Sequence, residues 1–109
     1  MSASLALTLR RLMQGKGQNV AYTGTAGTVA KALPQQANAV LVWCTTDAYV
    51  AVVGASDGVA STVDIPIPAN AMAILPLERV TSPGTDPNLW VSAVRISASG
   101  TMYIMPMVD

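Results

Sequence analysis

The chain has 109 residues, enough for one domain, with six Lys plus Arg balanced by six Asp plus Glu. It has no His, one Cys, 51% apolar residues and only 11% charged ones, which excludes a zinc finger, a Cys–His nucleophile pair, a Ser–His–Asp triad and an intrachain disulfide. Zero net charge also argues against general nucleic-acid binding, which needs Lys and Arg to neutralise phosphates.

The pattern reads as β throughout. Leu5, Leu7 and Leu9 alternate with Ala6, Thr8 and Arg10, the period of a half-buried strand. A helix over residues 1–14 is the alternative, because Leu5, Leu9 and Leu12 fall at i, i+4 and i+7. Gly15-Lys16-Gly17 breaks the run, and short strands are expected over Asn19–Thr23 and Thr28–Leu33, with Pro34 as the stop. Ala39–Thr45 is apolar on both faces and predicts a central strand covered on each side. Asp47 marks a turn, and Tyr49–Val53 returns. Ala55-Ser56-Asp57-Gly58 reads as a hairpin turn before Thr62–Ile67. Met72–Val80 follows, then a loop over Ser82–Asn88. Leu89–Ser97 and Thr101–Val108 are expected to form a last hairpin across Ala98-Ser99-Gly100.

Eight or nine strands at this spacing predict an all-β fold: a single β-sandwich of short antiparallel strands over residues 1–109, jelly-roll-like, with an immunoglobulin-like sandwich as the alternative. Residues 1–18 read either as part of the sandwich or as an extended N-terminal arm. Pro66 and Pro68 each remove a donor from the same side of their strand, which marks an edge; Pro76 and Pro106 point to edges or bulges. The densest apolar run, Ala37–Val53, is interrupted by Asn38, Thr45, Thr46 and Asp47, short of the roughly 18 residues of a membrane span. The first residues lack the order of a secretory signal, so cytoplasmic synthesis with Cys44 reduced is the expectation.

No constellation of catalytic residues emerges. Asp47, Asp57 and Asp86 fall in turns, where Asp caps backbone, and Asp64 is expected to face solvent. Gly15-Lys16-Gly17 lacks the loop and helix of a phosphate-binding motif. Cys44 has no cationic neighbour in sequence to activate it and reads as a buried thiol. The aromatics are too scattered for a base-stacking platform, but Trp90 is a candidate sugar contact as well as a core residue. Neither a metal nor a cofactor is expected.

Two features suggest contact surfaces. Tyr103, Met105 and Met107 share one face of the last strand while Met102, Ile104 and Val108 share the other, so both faces need cover. Core filling and a subunit interface both fit. Residues 1–31 hold Arg10, Arg11, Lys16 and Lys31 without an acid, and residues 32–109 hold Arg79 and Arg95 against all six acids. The basic segment is either a solvated edge or an arm that docks on an acidic surface. A charge content less than half the usual 25% or so also favours an assembly, because interface cores are depleted in charge.

The Ala/Thr/Val-rich composition resembles that of small capsid cement, or decoration, proteins of tailed bacteriophages. So do the segments Val20-Ala21-Tyr22-Thr23-Gly24, Ala39-Val40-Leu41-Val42-Trp43, Tyr49-Val50-Ala51-Val52, Ile65-Pro66-Ile67-Pro68-Ala69-Asn70 and Gly100-Thr101-Met102-Tyr103. The likeness runs along most of the chain and is one of style rather than of an identifying motif. It implies a non-enzymatic virion protein on the capsid exterior that clamps neighbouring major capsid subunits. It also implies a homodimer, or alternatively a homotrimer, with no nucleic-acid or membrane partner. Arg10, Arg11, Lys16, Tyr103, Met105 and Met107 are the expected contact residues. The alternative function is a carbohydrate- or ligand-binding sandwich of a phage tail or fibre.

Overall fold

The computed structural model describes residues 11–77 and 88–108. They form nine strands and no helix: β1 (Arg11–Leu12), β2 (Gln18–Tyr22), β3 (Gly27–Thr28), β4 (Ala39–Cys44), β5 (Ala48–Val53), β6 (Ile65–Ile67), β7 (Met72–Pro76), β8 (Trp90–Arg95) and β9 (Gly100–Val108). All pairings are antiparallel. One sheet runs β2–β9–β4–β7, with β1 beside β2 on the same edge of β9; the other runs β3–β8–β5–β6. Nearly every connection from β2 onward crosses between sheets; only β5–β6 is a hairpin. This is the strand order of a jelly roll. An immunoglobulin-like sandwich would divide the strands differently.

Alternation decides what lies between the sheets. Val40, Val42 and Cys44 of β4, Met102 and Ile104 of β9 and Leu75 of β7 meet Ala48 and Val50 of β5 and Val91 and Ala93 of β8. The side chains are small, so the two layers approach closely without large aromatics in the middle. Tyr22 is the exception, and its hydroxyl resolves the cost of burial. It donates to Thr46 O at 2.8 Å and accepts from Thr46 N at 3.2 Å.

That bond belongs to a polar corner where the chain changes sheets. Thr45 N donates to Thr101 O at 3.0 Å, and Thr101 N donates to Thr45 Oγ1 at 2.9 Å. Ile96 N donates to Asp47 O at 3.1 Å, and Ala69 N donates to Asp47 Oδ1 at 2.7 Å. Asp47 thus ties the β4–β5, β6–β7 and β8–β9 crossings together. Gly100 must lack a side chain here: a Cβ would lie 2.5–2.8 Å from Thr46 Oγ1, Thr45 Oγ1 and Tyr22 OH.

Three sequence expectations change. The last two strands are not a hairpin: β8 lies in one sheet and β9 at the centre of the other. Strand Thr28–Leu33 shortens to Gly27–Thr28, yet Val29 N and Leu33 N still bond Val91 O and Leu89 O, so the segment follows the sheet edge without a regular ladder. Arg11 and Leu12 pair with Val108 and Met107, so residues from 11 onward lie on the sheet edge rather than in an arm. The expected strand Leu5–Leu9 and most of the Ser82–Asn88 loop lie outside the described residues. Of the alternative helix over 1–14, the described part contains β1 instead.

Candidate docking surface

The two sheets treat their outer faces differently. On β8 the outward Ser92 is fully buried, because the long β5–β6 connection folds over it. Ser92 Oγ accepts from Ala60 N at 2.9 Å and donates to Gly27 O at 3.2 Å. Thr28 Oγ1 donates to Gly58 O at 2.6 Å and fastens the same connection from β3. The chain therefore supplies its own cover for that face.

The other sheet has an apolar outer face. Register places Trp43 between Tyr103 and Met72, and Leu41 between Met105 and Ile74, in two rows across β9, β4 and β7. Asn19 continues the first row on β2. Trp43 and Tyr103 rings stand 5.1 Å apart at 35°, a favourable tilted contact. Met72 is 73% exposed, Ile74 52% and Tyr103 43%; Leu41, Trp43 and Met105 are half-buried. A shallow depression of about 380 Å³ runs over Gly17, Asn19, Leu41, Trp43, Met72, Tyr103 and Met105. None of its lining residues is charged.

Beside it, across the start of β2, lies a second hollow of about 690 Å³ that Lys16 and Lys31 line without an acid. A reciprocal amide clamp fixes its far wall: Gln18 Nε2 donates to Lys31 O at 2.8 Å, and Lys31 N donates to Gln18 Oε1 at 3.0 Å. Gly17 belongs to both hollows. A Cβ there would meet Met105 Cε at 3.0 Å and Ile104 O at 3.2 Å, so the missing side chain keeps the saddle between them low.

Of the expected contact residues, Tyr103 and Met105 lie on the apolar face, Lys16 is exposed and lines the basic hollow beside it, and Arg11 is exposed on β1 opposite Val108, away from both hollows. Met107 has the outward alternation but is only 8% exposed, which removes it from the available surface. Arg10 lies outside the described residues. Sequence reasoning missed Leu41, Trp43, Met72 and Ile74 as partners of Tyr103. The signal was present in Ala39–Thr45, apolar on both faces; the expected cover on the outer side is not supplied by the described residues.

The remaining candidates take structural places. Trp90 is half-buried and packs against the core cluster. Asp64 is half-buried and not a free solvent-facing group: its Oδ2 accepts from Ser61 N at 2.7 Å and closes a turn. Gly58 N donates to Ala55 O, completing the turn expected at Ala55–Gly58. Gly15 takes a φ of +82° and Lys16 N bonds Met13 O, so the turn spans Met13–Lys16 with Gln14 and Gly15 at its centre, one residue or so before the expected Gly15-Lys16-Gly17. Burial pushes the Cys44 thiol above its ordinary value, against a smaller opposing effect of its hydrogen bond to Tyr22. A thiol held protonated is a poor nucleophile. Among the described residues no three His, Cys, Asp or Glu side chains gather as a metal site, and no helix is long and apolar enough to cross a membrane. No family model, curated protein or solved structure matches the chain.

Proposed function

We propose that the protein is a non-catalytic capsid decoration protein that binds the outside of a phage head and clamps neighbouring major capsid subunits. The observation that carries this reading is the uncharged apolar outer face of the β2–β9–β4–β7 sheet, set beside an acid-free basic hollow. Contiguous exposed apolar surface of this kind marks an interaction site. An interface with an apolar centre and a charged rim draws affinity from the first and orientation from the second. Repetition over a lattice would multiply modest contacts into firm attachment.

Density-gradient sedimentation of the native source material, with mass spectrometry of each fraction, tests the proposal. The expected result is migration in a megadalton particle at a fixed ratio to one abundant shell protein. Recovery only as a free small species near the top overturns it. Within a particle-binding assay, Trp43→Glu is expected to abolish decoration and Lys16→Glu to weaken it in a salt-dependent way.

A sugar-binding role has one observation in its favour, the Trp43–Tyr103 pair rather than Trp90. The Gln18 amide beside that pair is already engaged with Lys31, which leaves Asn19 as its polar neighbour. Sugar recognition needs more placed polar groups than this. A change of Trp fluorescence on titration with glycans would favour that role over shell binding.

A further inference from the structure

The free edge of β7 has a structure that answers to itself. Leu77 N donates to Asn38 O at 2.9 Å, which fixes the phase of the β4–β7 ladder. In an antiparallel ladder, alternate residues turn their N–H and C=O groups to the same side. Ala73, Leu75 and Leu77 therefore turn toward β4, and Met72, Ile74 and Pro76 turn away from it. Among the described residues no strand pairs with that outer side. Both ends are bounded: Pro76 has no N–H to offer, and Asn70 takes a φ of +61° with its N–H given to Cys44 O. What is left is two donors, on Met72 and Ile74, and the carbonyls beside them.

We propose that this edge pairs antiparallel with the same edge of a second copy, Met72 opposite the second copy's Ile74. Each of these two residues then donates to and accepts from the other, giving four hydrogen bonds about a two-fold axis. The register with Ile74 opposite itself would set each Pro76 ring against a Met72 carbonyl, so the first register is preferred. The axis passes between the two Ala73 residues. Met72 and Ile74, the two most exposed apolar side chains of the open face, become cross-strand neighbours. The segment 68–77 holds no charged residue, so no like charges meet across the axis. An isologous pairing closes on itself, which turns an aggregation hazard into a dimer. The other edges suit this less: β3 has two residues, β6 is three residues centred on Pro66, and β2 is tied to Lys31 at one end. The two apolar outer faces become one continuous surface, while the dimer itself does not depend on the shell role.

The strip is short, so the contact belongs below about 1,200 Å² in total and the dimer is concentration-dependent. Sedimentation equilibrium of the full chain from about 1 µM to about 1 mM covers the range expected for such a contact. The expected result is a reversible monomer–dimer equilibrium that Ile74→Pro weakens at least about tenfold. Ile74 turns its N–H away from β4, so that variant keeps its circular dichroism. Ala73→Cys should cross-link residue 73 to residue 73 on mild oxidation, because directly opposed non-hydrogen-bonded residues have Cα atoms about 4.5 Å apart. This holds even if Ile74→Pro misfolds. A monomer across the whole range, association unchanged by Ile74→Pro in a folded variant, or a cross-link absent at residue 73 overturns the proposal. The gradient experiment reads the shell role separately, so the two fail independently.

Discussion

The outer face of β8 and the outer face of β4 are the same kind of surface met by two different solutions. Each is a strand face pointing away from the core. On β8 the chain folds its β5–β6 connection over the face and pins it through Ser92 and Thr28. On β4 the face carries Leu41 and Trp43, larger and more apolar than Ser92 or Ala51, yet Met72, Ile74 and Tyr103 around them stay exposed. Among the described residues only the β8 face, where Trp90 and Val94 flank Ser92, receives such a cover at its centre, and the open β4 face is consistent with the partner proposed for it.

Breaking the closed face should cost the fold most. Ser92→Ala removes the acceptor of Ala60 N and the donor to Gly27 O in a fully buried place. A loss of about 2 to 3 kcal/mol in denaturant unfolding is expected, since buried polar groups lose their partners. A change under about 0.5 kcal/mol would mean that the connection is only laid on the sheet, and the contrast between the faces would collapse. On the open face, Tyr103→Ala loses its contact with Trp43 at a position already 43% exposed in the free protein. About 1 kcal/mol is expected there, near the value of an aromatic pair. Its effect on particle binding should be far larger than its effect on unfolding.

The sequence made the sandwich legible because alternation and turn residues report locally. β2, β4, β5, β8 and β9 all lie within the expected runs to a residue or two. Pairing was less legible. The Ala98-Ser99-Gly100 turn looked like a hairpin because a tight turn and a sheet crossing use the same small residues. What separates them is distant: Thr45 and Thr46 gripping Thr101 and Ala98 across more than fifty residues. The open face was half legible. Tyr103 and Met105 were found by alternation within β9, but their neighbours come from β4 and β7, and only register brings those together. Met107 shows the limit of alternation, since the outward parity holds and the exposure does not.

The inner face of β4 offers a pH test. Cys44 holds its proton more tightly in the folded chain than in the unfolded one, because burial disfavours the thiolate. The unfolded chain therefore loses that proton first as pH rises. The stability this provides is present below the ordinary thiol value of 9.0 and falls away as pH climbs through the raised folded value. Unfolding followed at pH 8 and pH 10 should show a decline that Cys44→Ala reduces. An equal decline in both proteins would assign it to other groups. Native Cys44 should also react slowly with thiol reagents at pH 8, whereas the accessible methionine on the opposite side of the same sheet, Met72, is open to a different reagent, peroxide.

That methionine gives the smallest effect and the sharpest contrast. Met72 is 73% exposed at the edge of the open face. Met72→Ser should change the stability of the monomer by less than about 0.5 kcal/mol, as for other exposed positions. Among the described methionines, mild peroxide should oxidise Met72 first, then the half-buried Met13 and Met105, and Met102 and Met107 last, following their exposure. Decoration of a particle should reverse this order for Met72 and Met105, shielding both while leaving the buried pair unchanged. If Met72 is oxidised as fast on the particle as in the free protein, the open face is not the contact and the reason for leaving it uncovered must be sought elsewhere.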